Sequence, residues 1–519
     1  VSADPVALAR GVIAVGFEGA DARAVPLDAL RDFAPGAITL FARNAGSPEM
    51  LRELVAALRA LGSPPPLIAV DQEGGRVARV REGVAQLPSA MAVGATGDVE
   101  LAGELGALLG RDLARLGISV DFAPVADLAL EPAGTVIGTR SYGDDPERVG
   151  AFASAFARGL ERGGVAAALK HFPGHGATAT DSHLALPRIA LGAATLRGRD
   201  LVPFARAIAA RAASIVMTSH VVVEAFDRER PATLSPAILT GLLREELGFD
   251  GVIATDCLEM DAIAATVGTV RGAVGALAAG ADLMLVSHRL ELAHEAAEAI
   301  ATAVRDGSLP LARLEQAHAR VLALRERFAA PTPLADVLDE SAPLAAARRA
   351  VTVLRGDPRL RPDAPVTVIS FEGALADNAG ASGARGAAEA PSLSAALRRR
   401  RWKSELMRVP LEPDADDVDL LLEHVPRLGE REFVVVVRRA HLYAAQREAV
   451  ARILELAPRA LIVSAREPFD ALLWPRAERV ICTYGDEAPA FEGCADVLSG
   501  RAEAGGTPPV RLAETGAVR

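Results

Sequence analysis

Lys170-His171-Phe172-Pro173-Gly174-His175-Gly176, followed by Asp181-Ser182-His183, places three imidazoles, one ammonium and one carboxylate within fourteen residues. Only nine histidines occur in the chain, so a third of them stand in this one stretch. Such groups exchange protons near neutral pH and hold polar ligands. A single histidine beside an apolar run is more often a structural, hydrogen-bonded residue, but that explanation does not extend to five reactive groups together. Metal ligation is the sharper rival, with His171, His175, Asp181 and His183 as the ligand set. Pro173 and Gly174 oppose it, because they break the helical spacing that puts residues i and i+4 on one face. The stretch therefore reads as proton-transfer machinery without a metal.

The elements that must position these groups are legible around them. Gly164-Val165-Ala166-Ala167-Ala168-Leu169 is a small, apolar run of the kind that makes a buried parallel strand, and the polar cluster begins where it ends. Similar runs occur at Val12 to Phe17, Ala37 to Phe41, Leu67 to Asp71, Val120 to Val125, Ser214 to Thr218, Gly251 to Thr255 and Asp282 to Val286. Amphipathic stretches such as Val99 to Leu116, Glu147 to Arg162 and Leu196 to Ala210 lie between them. Eight strand–helix units in about 300 residues predict an α/β fold, a closed (β/α)8 TIM barrel over residues 1–328. A proline-bearing linker is expected at 329–344. A smaller α/β sandwich is expected at 345–519, with strands at Val366 to Phe371, Phe433 to Val437, Leu461 to Ser464 and Val480 to Thr483. Gly373 to Pro391, rich in Ala and Gly, reads as a mobile loop.

In such a barrel the residues that end each strand converge on one face. Here the third strand ends in Asp71-Gln72-Glu73, the fifth in Lys170-His171, the sixth in His220 and the seventh in Asp256, with Asp127 and Arg140 following the fourth. Any one acid is as readily a salt bridge or a helix cap. Their convergence is what suits a polyhydroxylated ligand and proton transfer to it. A carboxylate at the position of Asp256 can attack an anomeric carbon, provided that an acid protonates the leaving oxygen. Asp181 and His183, two apart in an extended segment, point the same way, so the carboxylate can orient the imidazole that serves as acid and then as base.

Composition limits the alternatives. With 519 residues, half of them apolar, the chain is long enough for two domains with cores of their own. A net charge of -11 and the lack of a dense Lys/Arg stripe oppose a nucleic-acid surface. The one basic run, Arg398 to Arg401, reads as a helix cap or a solvated face. Three scattered cysteines demand no oxidising compartment, no run suits a membrane span, and no signal segment opens the chain. A cytoplasmic location is the expectation. Export stays open, since residue 1 is Val rather than Met and a segment removed earlier would account for that.

The chain resembles glycoside hydrolase family 3, in its β-N-acetylglucosaminidase (β-hexosaminidase) branch. The resemblance rests on Asp71-Gln72-Glu73-Gly74-Gly75-Arg76-Val77, Asp121-Phe122-Ala123-Pro124-Val125-Ala126-Asp127, Ile137-Gly138-Thr139-Arg140-Ser141-Tyr142-Gly143, Lys170 to Gly176, Asp181-Ser182-His183, Pro231-Ala232-Thr233-Leu234-Ser235 and Thr255-Asp256-Cys257-Leu258-Glu259-Met260. Cys257 and Tyr142 depart from the commoner residues without removing a reactive group. The resemblance implies retaining hydrolysis of terminal β-linked N-acetylglucosamine, on muropeptides or chitooligosaccharides, with no cofactor and no metal. It implies Asp256 as nucleophile, His183 as acid/base with Asp181 as its partner, and Asp71, Arg79, Arg140, Lys170 and His171 as sugar contacts. Two other readings remain at this point. One is a phosphorylase, since a neutral histidine repels phosphate less than a carboxylate base does. The other is a non-catalytic carbohydrate-binding protein on the same barrel.

Overall fold

The computed structural model describes residues 4–134, 136–178, 186–329, 339–373, 391–427 and 429–512. Eight strands close into a barrel: β1 (Ile13–Val15), β2 (Ala37–Leu40), β3 (Leu67–Val70), β4 (Val120–Asp121), β5 (Ala166–Phe172), β6 (Ile215–Thr218), β7 (Val252–Cys257) and β8 (Leu283–Val286). Neighbours in space are neighbours in sequence, all pairs are parallel, and β1 closes on β8 with Ile13 opposite Met284. Both faces of these strands are covered, by the packed interior and by the outer helices, which is why they appear as unbroken apolar runs.

Helices Val99–Arg115 and Pro146–Arg162 form where expected, capped by Asp98 on Leu101 N (3.0 Å) and by Asp145 on Arg148 N (2.8 Å). They meet through glycines: a methyl on Gly106 would lie 2.3 Å from Phe156 O. The helix expected from Leu196 to Ala210 is instead two, Ala193–Gly198 and Val202–Ala209. Pro203 has no N–H to continue a helix and sits in the first turn of a new one. Strand β4 stops at Asp121 rather than Val125: Pro124 cannot donate to the ladder, and although the carbonyls of Ala123 and Pro124 still accept from Ala168 N (2.9 Å) and Lys170 N (3.2 Å), regular pairing returns only at Val125 opposite Lys170.

The second sheet contains β9 (Thr352–Arg355), β10 (Val366–Glu372), β11 (Ser404–Pro410), β12 (Glu432–Val437), β13 (Leu461–Ser464) and β14 (Arg479–Cys482), in the order β9-β14-β13-β12-β10-β11. Only β9 runs antiparallel to its neighbour. Alternate residues feed two cores. Val366, Val368, Val434 and Val436 face one side, while Ile369, Val435 and Val437 face the other. The latter core also takes in Met91, Ala92 and Ala95 of the barrel's helix Ala90–Ala95, so the two sheets are joined through shared apolar packing.

Of the segment expected as linker, residues 330–338 lie outside those described, and helix Ser341–Ala350 begins within its end. Pro343 is tolerated there because it falls in the first turn. The Ala/Gly-rich loop lies, apart from its ends, outside the described residues. The basic run ends helix Leu393–Arg399 with Arg398, Arg399 and Arg401 exposed, while Arg400, its C-cap residue, is buried, with Nε 2.5 Å from Asp496 Oδ1 and Nη1 2.5 Å from Glu492 Oε2. Among the described residues, no helix is long and apolar enough to cross a membrane.

Candidate active site

The C-terminal mouth of the barrel carries a charged network built from three strand ends. Asp71 and Glu73 follow β3 and, two apart in extended chain, point the same way. Lys170 of β5 reaches between them, with Nζ 2.7 Å from Asp71 Oδ1 and 2.7 Å from Glu73 Oε1, and is only 2% exposed. Arg140, beyond β4, grips Glu73 in a two-point pair, Nε to Oε2 at 2.8 Å and Nη2 to Oε1 at 2.7 Å. Burial alone would raise the Glu73 carboxyl, but Arg140 and Lys170 hold it far below the usual range. Burial likewise opposes the Lys170 ammonium, and Asp71 and Glu73 overcome it, so Lys170 stays protonated.

Asp127 organises the histidines. Its Oδ2 accepts from His171 N (3.0 Å) and lies 2.6 Å from His171 Nδ1, while Oδ1 accepts from His175 N (2.7 Å). Burial works against this carboxylate, yet His171 and His175 keep its pKa below the ordinary value. The far nitrogen of His171 is 3.4 Å from Arg140 Nη2, a group that can only donate, so the contacts favour the tautomer with the proton on Nδ1. Burial pushes His175 down to about 4, so it is neutral at physiological pH.

Asp256 is half-buried near the end of β7 and accepts from Cys257 N at 2.7 Å, which orients its carboxylate. It is close enough to His175 to influence that ring's charge. His220, fully buried after β6, links the mouth from below, with Nε2 2.9 Å from Cys257 O and Nδ1 2.8 Å from Thr233 Oγ1. Burial pushes the Cys257 thiol up to about 11, so it is no rival nucleophile near neutral pH.

Of the residues singled out in the sequence, Asp71, Lys170, His171, Arg140 and Asp256 meet at this mouth. Arg79 is buried just beyond the hairpin of Gln72–Gly74 and Val77–Ala78. Asp181 and His183 lie outside the described residues. Their segment leaves from Thr178, whose hydroxyl is 2.8 Å from His175 Nδ1, and returns before Pro187, whose carbonyl accepts from Val222 N at 2.9 Å. Glu73 and Thr233 stood inside quoted motifs without an assigned role. The alternation Asp71-x-Glu73 was the available signal for the first, and nothing in the sequence marked the second. Among the described residues, no group of three His, Cys, Asp or Glu side chains is arranged to hold a metal ion.

Residues 16–324 match the family described as glycosyl hydrolase family 3 N terminal domain, and the chain therefore belongs to glycoside hydrolase family 3. It is 40% identical over 287 residues to a β-hexosaminidase of Alkalilimnicola ehrlichii, a match covering 54% of this chain and 82% of that protein. A β-hexosaminidase of Pseudomonas aeruginosa is 44% identical over 253 residues, 48% of this chain and 74% of the other. Among solved structures, a glycoside hydrolase family 3 β-N-acetylglucosaminidase from Paenibacillus sp. strain FPU-7 superposes with a TM-score of 0.89 at 34% identity, covering 99% of this chain and 100% of that one. The protein is thus a glycoside hydrolase, acting on carbohydrates, with a second domain of the same architecture as that neighbour's.

Proposed function

We propose that the protein releases terminal β-linked N-acetylglucosamine with retention of configuration, by two displacements at the anomeric carbon. In the first, an Asp256 carboxylate oxygen bonds to the anomeric carbon as the glycosidic bond breaks, and His183, oriented by Asp181, gives its proton to the departing oxygen. In the second, His183 takes a proton from water, the water oxygen replaces Asp256 on the sugar, and the carboxylate is regenerated. Asp71, Arg79, Arg140, Lys170 and His171 hold the sugar's hydroxyl and acetamido groups. Their ion pairs fix donors and acceptors in place before the substrate arrives.

The observation that carries this reading is the half-exposed Asp256 at the mouth, oriented by its own chain beside the Asp127–His171–His175 cluster. The β-hexosaminidase and β-N-acetylglucosaminidase relatives support the choice of sugar. Peptidoglycan fragments are the proposed natural substrates.

The test is turnover of 4-nitrophenyl N-acetyl-β-glucosaminide by wild type and Asp256→Ala, with product analysis in phosphate buffer. Wild type should release free sugar, and a slow 5-fluoro analogue should label Asp256. Sugar phosphate as product, or a label on another carboxylate, would overturn the mechanism. Faster hydrolysis of chitobiose than of muropeptides would overturn the natural substrate.

A further inference from the structure

We infer that Glu467, just beyond β13 in the second domain, is a positioning residue for Arg140, so that the second sheet shapes the sugar-binding wall of the barrel. The inference rests on the proposed role of Arg140 as a sugar contact. Arg140 ends a tight turn, Val136 to Arg140, and that turn is held from two sides. From the barrel side, Arg76 Nη2 donates to Val136 O at 2.9 Å and approaches Ile137 O at 3.4 Å, while Arg140 Nη1 donates to the same Val136 O at 3.0 Å. From the other side, the Glu467 carboxylate abuts Gly138 at the apex.

The approach at Gly138 is close enough that only glycine allows it. A methyl there would lie 2.1 Å from Glu467 Oε1, and the residue adopts φ +43°, a left-handed conformation that side chains resist. Glu467 is itself held in place. It is 2% exposed, and Arg439 binds both its oxygens, Nε to Oε2 at 3.1 Å and Nη2 to Oε1 at 3.2 Å. Burial opposes its charge, and Arg439, Arg76 and Arg466 restore it to a pKa far below the ordinary carboxylate value. Arg76 therefore serves both sides: it feels the Glu467 charge and binds the turn's carbonyls. Moving the carboxylate would free the apex of the turn and loosen the residue that grips its base. The guanidinium of Arg140, which completes the Glu73 pair, is two residues from that apex.

Displacing a substrate-contacting group by about 1 Å can cost on the order of a hundredfold in rate. Glu467→Asp keeps the charge for Arg439 but withdraws the carboxylate from Gly138, so it perturbs the buttress while keeping the ion pair within the second domain. Glu467→Ala removes both. For 4-nitrophenyl N-acetyl-β-glucosaminide, each variant of the full-length protein should lower kcat/KM by about tenfold or more. Combined with Arg140→Ala, neither should lower it below the Arg140→Ala value, because the effect passes through that side chain. A purely structural role would instead give losses that multiply. Multiplying losses, or a Glu467→Asp variant with wild-type kcat/KM, would overturn the inference alone. An Arg140→Ala variant with unchanged kcat/KM would overturn the sugar-contact role first, and this inference with it.

Discussion

Asp127 holds His171 by both its backbone and its ring: Oδ2 accepts from the amide at 3.0 Å and lies 2.6 Å from Nδ1. One carboxylate oxygen thus fixes the position, the rotation and the proton placement of a residue that follows Lys170 at the end of β5. Its other oxygen anchors the His175 amide at 2.7 Å. The residue acts as the frame of the mouth rather than as a group exposed to substrate.

Asp127→Asn should therefore impair catalysis without exposing the site. One carboxylate oxygen becomes an NH2, which faces another donor, and a buried unsatisfied contact costs about 1–3 kcal/mol. With the wrong tautomer favoured at His171, kcat/KM should fall by about tenfold or more. Wild-type kinetics in this variant would show that the ring needs no such support.

Glu73→Gln should be chiefly a stability lesion. The buried carboxylate answers both Arg140 and Lys170, and removing one partner of a buried ion pair costs about 3–5 kcal/mol. A thermal or urea unfolding transition should shift accordingly, and substrate affinity should weaken because Arg140 loses its two-point partner. An unchanged midpoint would mean that Asp71 alone balances the network.

His183→Ala should slow substrates with poor leaving groups far more than the nitrophenyl glycoside, whose leaving group departs without protonation. Asp181→Ala should show a milder version of the same pattern. Equal losses for both substrate classes would assign His183 to binding rather than to proton transfer.

The domain contact should depend on pH through His441. Its Nδ1 lies 2.7 Å from Asp470 Oδ1 and its Nε2 3.0 Å from Pro132 O on the barrel, so both nitrogens face acceptors, and only the protonated ring can donate to both. Burial pulls its pKa down, but Asp470 and then Glu467 raise it above the ordinary value. A raised folded-state pKa stabilises fully below the unfolded value, about 6.5, and that stabilisation is lost as pH rises through the folded-state value. The Tm gap between wild type and His441→Gln should therefore be widest near about pH 6 and close towards about pH 9. A gap that is constant across this range would show that folding does not raise the pKa of this ring.

Much of the fold was legible because barrel strands are buried on both faces, so each leaves a continuous apolar run that stops abruptly at a polar residue. Asp71, Lys170 and Asp256 could be placed at one mouth on that ground alone. The two strands of the second sheet that were missed, Thr352–Arg355 and Ser404–Pro410, are edge strands, and the second carries Glu405 and Arg408 on a half-solvated surface that breaks the apolar pattern. Local chemistry also decided the break at Pro203 and the early end of β4 at Pro124.

What the sequence determined by itself was therefore the periodic part: strand, helix, the barrel they make, and the strand ends on which reactive groups stand. Only the tertiary structure decided the pairings: Glu73 between Arg140 and Lys170, Asp127 beneath two histidines, Glu467 behind Gly138. The physical reason is that periodicity records which face of an element is buried. A buried ion pair depends on which distant elements the closed barrel and the second sheet bring within about 3 Å of each other, and it leaves no repeating trace along the chain.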